Sequence, residues 1–81
     1  FAPEVQQALL LLNILPDKWE GTSGTWLGKD YAGLEAIMNI YEIIDRRLVF
    51  DLFQVGEGEL GKFYAQKQKE RDSLAKAARG R

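Results

Sequence analysis

Eighty-one residues with a net charge of −1, no cysteine and no histidine make one small domain. That composition excludes disulfide staples, thiolate metal sites, and the imidazole that most often serves as metal ligand or neutral-pH base. A chain this short buries only about 60–65% of its unfolded surface, so every apolar side chain weighs heavily in its stability. No apolar run approaches the roughly 18 residues of a membrane span. The run Ala8–Leu12 lacks the basic flank and cleavage site of a signal peptide. The absent cysteines fit a cytoplasmic protein.

Pro3 suits the first turn of a helix, where its missing N–H is not needed. Over Glu4–Leu15, the set Val5, Leu9 and Leu12 keeps helical spacing, with Ala8 and Leu15 on its flanks. Leu10, Leu11 and Ile14 widen this stripe beyond one face, as in a helix that is deeply buried or meets a partner. Pro16 ends it. The loop Asp17–Lys29 holds both tryptophans, with Gly21, Gly24 and Gly28 between and after them. Its indoles are expected to fold back over the junction of helices one and two, Trp26 as a core plug or a partner anchor. Asp30 is the expected N-cap of a second helix over Tyr31–Glu42, with Leu34, Ile37, Met38 and Tyr41 on one face.

Ile43–Asp45 reads as a short connection, with Asp45 capping helix three. Leu48, Val49, Leu52, Phe53, Leu60, Phe63 and Tyr64 then form a helical stripe across Gly56, Gly58 and Gly61. Three interior glycines cost roughly 2–3 kcal/mol, so a bend or break is expected there. Residues 1–64 form the expected helical core. Residues 65–81 are polar and basic, an exposed C-terminal helix or tail with Leu74 its only strongly apolar residue. Through Gly61 the chain has four Lys/Arg and ten Asp/Glu; from Lys62 onward it has seven Lys/Arg and two Asp/Glu. An acidic body with a basic tail is common in interaction proteins. The expected fold is therefore all-α, three to four helices with a Trp/Gly-rich loop between the first two.

Two motifs touch nucleotide chemistry and fail on context. Gly56–Gly61 spells G-x-G-x-x-G, but Glu57 and Glu59 would face a phosphate, and twenty residues cannot complete a dinucleotide fold. Gly24–Asp30 is one residue short of a phosphate loop and has aspartate where Ser or Thr should bind magnesium. No cofactor, metal or catalytic residue is expected. The tail has no aromatics interleaved for base stacking, so nucleic acid is the weakest of the partner readings. Partner contact is expected at Leu10, Leu11, Ile14, Trp26, Phe63 and Lys67.

The order of features from Leu9 to Glu59 resembles the small tail assembly chaperones of long-tailed bacteriophages, the downstream, T-type part of a pair often made by ribosomal frameshift. The resemblance rests on Leu9–Leu15 leading to Trp19, the glycines Gly21–Gly24, then Gly28-Lys29-Asp30-Tyr31-Ala32-Gly33-Leu34, and Arg47, Phe50, Phe53 with Glu57 or Glu59. The glycine-rich Val55–Gly61 departs from the steadier helix of those proteins, and the basic tail lies outside the match. The resemblance implies a non-enzymatic factor in the host cytoplasm that coats the tape measure protein and recruits tail tube subunits. A permanently docked subunit of a virion or other assembly is the alternative, and oligomerisation is left open.

Overall fold

A computed structural model describes residues 2–79. The element order is α1 (Pro3–Ile14), β1 (Asp17–Trp19), β2 (Trp26–Lys29), α2 (Leu34–Ile40) and α3 (Arg46–Arg79). The chain is mostly helical, but the all-α expectation is corrected, because β1 and β2 pair as an antiparallel hairpin. The hairpin forms where the supposed loop holds a tryptophan on each side of a Gly/Ser/Thr turn. Gly24, at φ +70°, reverses the chain. Glu20 locks the turn, its carboxylate accepting from the Thr22 and Ser23 N–H groups at 3.1 and 2.5 Å and from the Ser23 hydroxyl at 2.7 Å. The Ser23 and Thr22 donors hold the Glu20 carboxyl down at about 2.

Helix α1 starts and stops at its two prolines as expected, but its phase is rotated. Ala8, Leu11 and Leu15 are buried, whereas Leu9 is exposed. Four consecutive leucines give no phase of their own, since any rotation buries some of them. Helix α2 begins three residues later than expected. Asp30 Oδ1 accepts from the Ala32 N–H at 2.9 Å, which makes a local turn over Tyr31–Gly33 in place of a helix cap. At its other end, Glu42 takes a left-handed φ of 52° so that the Ile43 N–H reaches the Met38 carbonyl at 3.0 Å.

Asp45 caps α3 as expected, accepting from the Leu48 N–H at 3.2 Å. The helix then runs unbroken through all three glycines. Packing explains two of them. A Cβ on Gly56 would meet Leu12 Cδ1 at 2.5 Å, and one on Gly61 would meet the Trp26 ring at 3.4 Å. These positions let α1 and the hairpin approach the α3 backbone. Gly58 has nothing near it. Gly58→Ala is therefore expected to raise stability by about 1 kcal/mol, read as a higher denaturant midpoint at unchanged slope. A loss on that substitution would contradict the straight exposed helix.

The core is Ala8, Leu11, Leu15, Met38, Ile43, Val49 and Phe53, fed by α1, α2 and the first two turns of α3. All of it lies at one end of the molecule. The chain measures 57 × 25 × 14 Å, with a radius of gyration of 16.2 Å against the ~12 Å of a compact chain this long. Helix α3, about 51 Å long, sets the long dimension. Residues 65–79 are its continuation, all exposed but half-buried Gln68. Phe1, Gly80 and Arg81, the last two the expected fraying end of the tail, lie outside the described residues.

Candidate interaction surface

The hairpin packs on α3, not over the α1/α2 junction. Trp19 and Trp26 face each other across the strands, and both rings meet Tyr64. The Trp19–Tyr64 and Trp26–Tyr64 centroids each lie 5.1 Å apart, the first pair edge-on and the second tilted. Trp26 donates its indole N–H to Asp17 Oδ1 at 3.0 Å. The Lys29 ammonium bonds the same carboxylate oxygen at 3.0 Å and the Leu15 carbonyl at 3.2 Å. Burial pushes the Asp17 carboxyl up, but these donors outweigh it and hold its pKa below the usual value. The hairpin is thus bolted to the end of α1.

Glu57 ties the other side of the hairpin to α3. Its carboxylate accepts from the Lys29 N–H at 2.9 Å and from the Tyr31 hydroxyl. Burial, then the Glu57 hydrogen bond and charge, push the Tyr31 phenol from 10.0 up to about 12. The neutral phenol is the form the fold favours. Its contribution to stability is complete below about pH 10 and is lost as pH rises through about 12. A phenolate absorbance titration should show a late transition that Tyr31→Phe removes and Glu57→Gln brings down. Completion of every tyrosine transition near pH ~10 would contradict it.

The register slips between Lys18 and Trp19, so Lys18 faces Gly28 while Trp19 faces Trp26. Leu27 is the extra residue of this bulge, and Gly28 absorbs the distortion at φ +117°. A Cβ on Gly28 would also stand 3.3 Å from the Glu57 carboxylate. The bulge turns Leu27 outward, 58% exposed. Beside it opens a cleft of about 360 Å³ lined by Trp26, Leu27, Gly61, Tyr64, Ala65 and Gln68. Phe63 stands on the same stretch of α3, edge-on to Tyr64 at 5.4 Å, with the Lys67 ammonium 5.7 Å from its ring centre. Phe63 is 54% exposed.

Of the residues expected at a partner contact, Trp26 and Phe63 each meet Tyr64, and Lys67 lies over the Phe63 ring. Leu11 is fully buried in the core and has no surface to offer a partner, which corrects that assignment. Leu10 is half-buried and Ile14 exposed, both on α1. Leu27 and Tyr64 were not legible as site residues. Leu27 needs the bulge to face outward, and Tyr64 needs the hairpin to sit on it. A second apolar group, Ile40, Tyr41 and Ile44, stands exposed around the α2–α3 turn.

The nucleotide motifs have no working geometry. Gly56–Gly61 lies inside α3, where helix hydrogen bonds occupy the backbone N–H groups that a phosphate would need. Gly24–Asp30 lies in the hairpin and leads to a turn. Among the described residues, no group of three or more acidic, histidine or cysteine side chains is placed to hold a metal ion. No helix there is long and apolar enough to cross a membrane. No known protein family, curated protein or solved structure matches this chain.

Proposed function

We propose that this chain is a non-enzymatic protein-interaction module, a tail assembly chaperone of the kind that holds a tape measure protein and recruits tail tube subunits in the host cytoplasm. The observation that carries the reading is the aromatic cleft at the bulge. Its polar neighbours Asp17, Lys29, Glu57 and Tyr31 bond one another, while Leu27 and Phe63 are left in water. An exposed apolar residue beside an aromatic-walled cleft suits a partner's helix, which can insert one large side chain while its polar face stays wet. A tape measure protein is long, helical and apolar-striped, and it aggregates when bare. The feature order from Leu9 to Glu59 supports the same reading through the resemblance described above.

Co-expression with such a tape measure protein tests it. The partner is expected in the soluble fraction with this chain and in the pellet without it. An insoluble partner in both cases removes the reading. A permanently docked subunit is the second reading, favoured by Ile44, 96% exposed, beside Ile40, 73% exposed. Such a subunit should aggregate or unfold alone, whereas a chaperone should elute from size exclusion as a soluble folded species.

A further inference from the structure

The core, together with the apolar residues packed against it, includes nothing between Leu15 and Leu34. The hairpin that fills this interval is braced within itself. Glu20 locks its turn, the Asp30 N–H closes its base on the Pro16 carbonyl at 2.8 Å, and the Trp26 indole spans the strands to Asp17. Among the described residues, its hydrogen bonds and ring contacts with α3 lie at two places. Lys29 reaches Glu57 beside the base. Farther out, both indoles rest on Tyr64, and Trp26 also covers Gly61. All of β1 is exposed. At the tip, a Cβ on Gly24 would find only the end of the Arg71 side chain within 4 Å, and one on Gly21 would find nothing.

Open space flanks these ties. The 360 Å³ cleft beside Leu27 lies on one side of Trp26. A second cleft, of about 660 Å³ and lined by Lys18, Gln54, Glu57 and Gly58, lies on the other. Trp26, Leu27 and Gly61 line both, so the indole standing on Gly61 is the partition between them.

We propose that the hairpin is a hinged flap, which swings off α3 about its base at Pro16 and Asp30 while the helical core stays folded. The Tyr64 ring is its catch. A unit bonded mainly within itself opens at less cost than the whole fold. Opening removes the partition and joins the two clefts into one trough along α3 from Gln54 to Gln68, about 21 Å long. The trough exists only while the flap is up, as a minor state of the free chain.

The chain carries its own reporters, because both tryptophans lie on the hairpin, while far-UV circular dichroism follows the helices. In a urea titration of the full chain, the tryptophan emission should change at lower urea and with a smaller slope than the helical signal. Tyr64→Ala keeps a good helix former in α3 and should raise the open population at least tenfold. Its emission transition should move to lower urea, or be complete without urea, while the helical midpoint stays where it was. Coincident transitions in the unchanged chain overturn the proposal. So does a Tyr64→Ala chain in which both transitions fall together or neither moves.

Discussion

Phe53→Ala is expected to lower stability by about 4 kcal/mol, and with it the melting temperature by roughly 15–30 °C. Phe53 is fully buried, and its ring meets Tyr31 at 5.5 Å and Phe50 at 6.1 Å. It joins all three parts of the fold. Its own helix is α3, its core neighbours come from α1 and α2, and Tyr31 links it to the segment leaving the hairpin. A domain of this size has a total stability of only about 4–12 kcal/mol. The variant should therefore be largely unfolded at moderate temperature, by circular dichroism and by loss of amide protection throughout residues 3–53. A loss below about 1.5 kcal/mol would mean that the seam between α1 and α3 is not the core.

Trp26→Ala is expected to lose about 3 kcal/mol, most of it from the hairpin. The substitution takes the ring off Gly61 and Tyr64 and removes the donor to Asp17. Amides of residues 17–29 should then exchange faster, while the buried Val49 and Phe53 stay protected. Trp26→Phe keeps a ring on the hairpin but loses the N–H and part of the packing on Gly61, and should cost less than the alanine, about 1–2 kcal/mol. A loss under 1 kcal/mol for Trp26→Ala, together with weakened partner binding, would make the indole a contact with the partner and not a bolt of the fold.

The helical parts of this architecture are legible because they announce themselves over many residues. Pro3 and Pro16 bracket α1, Asp45 caps α3, and the spacing of Val49 and Phe53 sets the buried side of α3. The hairpin hides because strands of three and four residues give too few alternations to establish a period. The bulge at Leu27 then breaks even those. The supposed fracture at Gly56–Gly61 follows from local propensity, and it fails because Leu12 and Trp26 fill the space those glycines leave. Tertiary contact decides there, as it does for the phase of α1, where the leucine run is silent. The candidate site was half legible. Trp26, Phe63 and Lys67 stand out by residue type, but the meeting of Trp26 with Tyr64 depends on the hairpin.

The proposed docking surface is the cleft beside Leu27. Leu27→Lys separates docking from folding, since the side chain already stands in water. Its melting temperature should match that of the unchanged chain, while co-purification of a co-expressed tape measure protein falls at least tenfold, about 1.4 kcal/mol of binding. Undiminished co-purification by a folded Leu27→Lys chain would contradict the account.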